Sequence, residues 1–200
     1  MHLLTGLHTV TGSLGPTRIY ATGGMRYWKD RDVPDVMLAV LDYPETNEHP
    51  AFNVLLRVNF KSGLPEESFG VKFIGSEGVM STGYSSVTVD RSPQPDEFDG
   101  STGSFAEAVQ KQMRAEWEAN HVATDSRIFQ QTSESYETGG IDAHLEHHKS
   151  FYRSIRDGRP SVEDASFGLR AAGPALLTNE SLFQQKIMHW DPERMTLATS

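Results

Sequence analysis

The sequence predicts an α+β fold: a mostly antiparallel, open-faced sheet of about six strands, with helices packed on one face. Three observations predict it. Between Thr17 and Asp90 apolar residues recur at every second position, in runs separated by turn clusters and with no helical stretch between them. From Ser104 onward the apolar period lengthens to three or four residues. Strands that succeed one another this closely pair antiparallel, because a parallel crossover needs a dozen or more residues, and helices that follow them cover one face of the sheet.

Taken in order, Leu3, Leu7, Val10 and Leu14 repeat at helical spacing until Gly15-Pro16. No capping residue precedes them, which leaves the first amides of the helix without partners. The expectation is that Met1 lies at a cut through a longer polypeptide. Residues 1–15 would then be a truncated first helix from a domain junction, with an apolar remnant exposed around Leu3, Leu4 and Leu7. Strands are expected at 19–22, 36–43, 52–60, 69–74 and 87–89. The third is the clearest: Phe52, Val54, Leu56, Val58 and Phe60 alternate with Asn53, Leu55, Arg57, Asn59 and Lys61. Asp32, Pro34, Pro44, Pro50, Gly63, Pro65, Gly75 and Gly78 mark the turns between strands.

The segment 91–104 (RSPQPDEFDGSTGS) reads as a loop, and Ser104 with Glu107 as a capping box. Phe105, Ala108, Val109, Met113 and Trp117 form the stripe of the helix that follows. Residues 121–140, with scattered Ile128, Phe129 and Tyr136, read as a long surface loop. Ile141, Leu145, His148, Phe151, Tyr152 and Ile155 lie along one side of the next helix, a side expected to face a core, and Gly158 and Pro160 stop it. Ser161 with Asp164 is the expected cap of the last helix. Its stripe is Val162, Ala165, Leu169, Ala172, Leu176 and Phe183, and a kink is expected at Pro174. Residues 187–190 add a short strand, with Trp190 as anchor.

Two hundred residues suit a single domain, 1–200. Acidic residues exceed basic ones by nine and no run of Lys or Arg stands out, so a nucleic-acid partner is not expected. No apolar run approaches the roughly 20 residues of a membrane helix, and no basic segment with an apolar signal core opens the chain. A cytoplasmic location is therefore expected. The absence of cysteine excludes disulfides, thiolate metal sites and a cysteine nucleophile.

The helix bearing HHxxFxxxIRxGRP, the second helix and the terminal WDPE occur in the same order as IYATGGMRYWKDRDVPDVM (19–37) and FIGSEGVM (73–80) upstream. Together they resemble the C-terminal domain of the glucose-fructose oxidoreductase, inositol dehydrogenase and MocA (Gfo/Idh/MocA) family. The resemblance implies a two-domain NAD(P)-dependent dehydrogenase of sugars or polyols, in which a Rossmann domain holds NAD or NADP. The C-terminal domain then contributes substrate contacts and a homo-oligomer interface through the open sheet face. A dinucleotide needs a glycine-rich turn at a helix N-terminus. Gly12-Ser-Leu-Gly15 and Gly23-Gly24 lack the G-x-G-x-x-G spacing and the preceding strand, and the family's glutamate-lysine-proline motif is missing too. No residue here is assigned to cofactor binding. The chain alone is expected to bind no dinucleotide and to be inactive, its natural partner being the missing N-terminal Rossmann domain.

The resemblance puts a proton-exchanging histidine at His2, in the segment HLLT. Histidine suits that role because its pKa lies near neutrality, but Thr5 stands where the family carries an acid. Arg26, Tyr27 and Trp28 are the candidate substrate contacts, with ring faces to stack on a sugar and a guanidinium to bond hydroxyls. His144 and His148 share a helix side at metal-ligand spacing, but Glu146 points away from the pair and no third ligand follows, so no metal site is assigned. The rival to the enzyme reading is a non-enzymatic binding or oligomerisation scaffold of the same fold.

Overall fold

In the computed structural model the described residues are 1–200 except 62, 64–68, 93–97, 99, 121–130, 162 and 199–200. The chain forms two compact units, Met1–Glu66 with Ile141–Ser200, and Glu67–Gly140. The α+β class and the antiparallel pairing agree with the sequence reading. The strands, however, divide between two sheets instead of forming one sheet of about six.

The first unit opens with helix α1 (His2–Thr11), which ends in the left-handed Gly12. Strands β1 (Arg18–Gly24), β2 (Val36–Tyr43) and β3 (Phe52–Asn59) form an antiparallel meander. β8 (Met188–Asp191) and β9 (Thr196–Leu197) extend it on the other side, giving the order β3-β2-β1-β8-β9. Side chains alternate across this sheet: Ile19, Ala21, Ala39, Leu41 and Tyr43 are buried, while Tyr20, Leu38, Val40 and Leu55 are exposed. Helix α4 (Ala165–Gln184) covers the buried face over β1 and β8, and α1 packs on α4. Ser181 of α4 ties the layers together, accepting from the backbone N–H of Ala21 at 2.9 Å and donating to the carbonyl of Lys186 at 2.6 Å. Helix α3 (Ala143–Asp157) is capped by Asp142, whose carboxylate accepts from the amides of His144 and Leu145, and it ends at the left-handed Gly158 as the sequence predicts.

The second unit holds the four-stranded antiparallel sheet β4-β5-β6-β7. These strands are β4 (Val71–Gly75), β5 (Gly78–Thr82), β6 (Ser86–Arg91) and β7 (Thr132–Glu137). A 3-10 turn, Gly100–Ser104, precedes helix α2 (Glu107–Asn120). Ser104 thus closes that turn, and the first backbone bonds of the helix run to Ala106.

Several expectations are corrected. Leu4 and Leu7 are buried against the rest of the chain, so no exposed remnant surrounds them, and the helix stops at Gly12, three residues before Gly15. Periodicity marks an apolar side without naming what covers it. The side expected to face a core, Leu145, His148, Phe151, Tyr152 and Ile155 of α3 with Ile141 just before it, is exposed at every one of these residues, because α4 already covers the sheet's inner face. On α4 the buried side is Ala171, Gly173, Pro174, Leu177, Thr178 and Ser181, whereas Leu169, Leu176 and Phe183 face outward. Small residues bring a helix axis closer to a sheet than leucines allow, and here the close approach wins. The cap of α4 is Asp164 itself, accepting from Phe167 N at 2.8 Å; Ser161 donates instead to the Glu163 carbonyl. Residues 132–137 of the expected loop form β7, while Ile128 and Phe129, like Val162 and Pro65, fall outside the described residues.

Candidate functional site

The β1–β2 hairpin ends in the segment 25–35, which carries Arg26, Tyr27 and Trp28. Its entry requires glycine. At Gly23 (φ 155°) a Cβ would lie 2.1 Å from the Val36 carbonyl oxygen on the paired strand, which no side chain can accept. Beyond it the chain folds around Asp35, a side chain 2% exposed. The Asp35 carboxylate accepts three successive amides, from Arg26 (2.5 Å), Tyr27 (2.6 Å) and Trp28 (2.8 Å). Burial works against its charge, but the amides of Arg26, Trp28 and Tyr27 outweigh that and hold the carboxyl down at about 2. Three amides converging on one anion make the cradle that elsewhere binds phosphate; in this loop it is filled by the chain's own carboxylate.

With the backbone committed inward, the side chains turn outward. Tyr27 and Trp28 meet edge to face, ring centroids 5.1 Å apart at 85°. The Arg31 guanidinium sits 4.3 Å from the Trp28 ring centre and the Lys61 ammonium 5.2 Å from that of Tyr27. Arg26 folds back to donate to the Gly23 carbonyl at 2.8 Å, and Lys29 donates to that of Met25. The structure therefore brings Arg26, Tyr27 and Trp28 into one cluster, and adds Arg31, Lys61 and Asp35, which sequence reasoning missed. Lys61 arrives because the register pairs Val36 with Asn59, so the end of β3 lies beside the loop.

His2 is the first residue of α1 and is exposed. Thr5 donates back to the Met1 carbonyl at 3.4 Å, a local helix contact that leaves the imidazole without an orienting acid there. Among the described residues no hydrogen bond, ion pair or ring contact joins His2 to Arg26, Tyr27 or Trp28. A cleft of about 350 Å³ lies at the opposite end of β1, lined by Thr17, Arg18, Asp42, Tyr43, Pro44 and His189. Its one arginine is already matched by Asp42. Among the described residues no three His, Asp or Glu side chains converge as a metal would require, and no helix is long and apolar enough to cross a membrane.

The Asp35 cradle makes a direct prediction. In Asp35→Ala the amides of Arg26, Tyr27 and Trp28 lose their common acceptor, and their hydrogen exchange is expected to accelerate at least about tenfold while amides in the middle of β2 keep their protection. Exchange monitored by NMR decides it; unchanged protection in the loop would show that another contact holds it.

No protein-family model matches the sequence, and no curated protein does. Solved structures share its fold. An oxidoreductase from Agrobacterium radiobacter in complex with NAD+, L-tartaric acid and magnesium superposes with a TM-score of 0.54 at 13% identity, over 96% of this chain and 47% of that one. An NADPH-dependent oxidoreductase from Desulfitobacterium hafniense gives 0.51 at 14% identity, over 93% and 45%. An oxidoreductase from Bacteroides fragilis gives 0.50 at 14% identity, over 94% and 51%. The chain thus spans about half the length of the structures it matches, and its α+β fold is the one found in about half of each of these oxidoreductase chains.

Proposed function

We propose that this chain is the substrate-binding and self-associating half of a cytoplasmic NAD(P)-dependent oxidoreductase of sugars or polyols, inactive until a separate Rossmann domain supplies the hydride carrier. The observation that carries this reading is the fold it shares, over 93–96% of its length, with 45–51% of longer oxidoreductase chains. NAD or NADP does not fit the residues present. No G-x-G-x-x-G turn occurs in the sequence, and the convergent amides of residues 26–28 are occupied by Asp35. The dinucleotide therefore belongs to the partner domain, and no reaction step is assigned to it on this chain.

In this reading Arg26, Tyr27 and Trp28 contact the hydroxylated substrate, and exposed His2 exchanges a proton with the reacting hydroxyl once the partner domain encloses it. The open sheet face supports self-association. Tyr20, Val40 and Leu55 form one apolar row across β1, β2 and β3, with Thr22, Leu38 and Arg57 in the next row and Arg18, Asp42 and Asn53 at the rim. An apolar centre with a polar rim is how protein interfaces are built.

The test combines calorimetry with sedimentation. The chain alone is expected to give no binding heat with NAD or NADP and to sediment as a homo-oligomer, while Leu55→Arg weakens association at least about tenfold. Micromolar dinucleotide binding by the isolated chain would overturn the division of labour. Association without any gain of turnover when the chain is joined to a dinucleotide-binding domain would favour the non-enzymatic scaffold.

A further inference from the structure

We infer that the loop spanning residues 25–35, together with Lys61, selects an anionic polyhydroxylated ligand, a sugar acid, over a neutral sugar; this rests on the proposed role of Arg26, Tyr27 and Trp28 in substrate contact. The argument starts from what already occupies the rings. Each of the two aromatic side chains carries a cation over its face, Arg31 on Trp28 at 4.3 Å and Lys61 on Tyr27 at 5.2 Å. A neutral sugar stacking on that face has to displace a cation and offers it only a neutral hydroxyl acceptor in return. A ligand bearing a carboxylate gives the displaced guanidinium or ammonium a charge-assisted hydrogen bond, stronger than the exposed cation–π contact it leaves, and frees the ring for the sugar face.

Charge in the loop points the same way. Arg31 and Lys61 sit over the rings, Arg26 and Lys29 belong to the same loop and donate to backbone carbonyls, and among the described residues none of the four forms a salt bridge. Of the carboxylates in the segment, Asp35 is buried under three amides and only Asp30 and Asp32 stand exposed. The exposed set is therefore cationic on a chain whose net charge is −9. Because Asp35 fills the backbone cradle, an incoming anion meets side chains and not amides, so recognition depends on Arg31 and Lys61.

The experiment is an NMR titration of the full 200-residue chain, following the Trp28 indole N–H, assigned from its loss in Trp28→Phe. The probes are D-glucuronate, D-glucose 6-phosphate, D-glucose and inorganic phosphate. Glucuronate is expected to move the signal at a concentration about tenfold lower than glucose. That advantage is expected to disappear in Arg31→Gln and Lys61→Gln, whose exposed side chains leave the fold intact. A stronger response to glucose 6-phosphate than to glucuronate would overturn the carboxylate assignment in favour of a phosphorylated sugar. Equal response to glucose and glucuronate overturns the inference while leaving the substrate reading standing; no response to any sugar overturns both. Inorganic phosphate matching glucuronate would show a bare anion site and overturn it as well.

Discussion

Trp190→Ala is expected to lower the stability of the first unit by about 3–5 kcal/mol, a large share of the 5–15 kcal/mol that holds an ordinary domain. Trp190 is 6% exposed and stands on β8, a strand of only four residues. β8 holds to β1 through two residue pairs, Arg18 with His189 and Ile19 with Met188, and through the amide of Trp190, which donates to the Thr17 carbonyl at 3.0 Å. The indole lies directly on Gly173 of α4: a Cβ at that position would be 2.6 Å from Trp190 Cη2 and 2.8 Å from Cζ2. One large ring thus fills a space that the helix leaves by carrying no side chain there. Removing the ring opens a cavity between α4 and β8; Gly173→Ala overfills the same space and is expected to cost about 1–3 kcal/mol. In the pair Gly173→Ala with Trp190→Phe the losses are expected to be less than additive, since the smaller ring makes room for the methyl group. Urea denaturation of the three single variants, Trp190→Ala, Trp190→Phe and Gly173→Ala, and of the pair measures these losses. A loss under about 1 kcal/mol for Trp190→Ala would mean that β8 is held by its backbone alone.

Acid is the second large effect. His8 is 2% exposed, with Nε2 joined to the Tyr43 hydroxyl at 3.0 Å and no hydrogen-bond partner for Nδ1 among the described residues. Burial, with a smaller contribution from the charge of Arg170, pushes the imidazole down to about 4. Burial also raises the Tyr43 hydroxyl, which stays protonated. The folded chain therefore keeps His8 neutral where the unfolded chain, with its ordinary value of 6.5, takes up a proton. The stability this neutrality secures is complete above pH 6.5 and falls steadily as pH drops from 6.5 to about 4. The loss over that window amounts to about 3 kcal/mol. Charging the ring would strand a second N–H at Nδ1 beside Arg170. His8→Gln, which keeps a polar group toward Tyr43 but does not titrate, is expected to flatten the difference between pH 6.5 and 4 in urea midpoints. A variant with the same acid slope as the parent would place the proton uptake elsewhere.

Much of the fold is legible in the sequence where side-chain pattern and backbone agree. The expected strand 36–43 coincides with β2, because a buried face alternates with an exposed one and turns bound both ends. Elements without such a pattern escape notice. β7 (TSESYE) is exposed along its whole length and is a strand only because its six residues pair with β6; β5 is intermediate throughout and shows no alternation. Helix α4 misleads for a different reason. It has two apolar sides, and hydrophobicity favours Leu169, Leu176 and Phe183 over the glycine, proline and alanine that pack inward. At the candidate site, the aromatic pair and Arg26 are readable as a polar-aromatic loop after a strand. Asp35 reads as an ordinary turn residue, since nothing local distinguishes an aspartate that receives three amides from one that faces water. Lys61 lies 26 residues beyond Asp35 in the chain, two past the Asn59 that pairs with Val36, and joins the cluster only through that register.

The meander order leaves β3 at the margin of its sheet, eight regular residues with Arg57 as their one charge and no proline. Among the described residues no strand pairs with its outward row of backbone donors and acceptors, which suits it to any extended peptide, including the same strand of another molecule. Concentrated stocks will therefore keep best at low ionic strength, where repulsion between chains of net charge −9 holds those margins apart, and salt will hasten their zipping into ribbons.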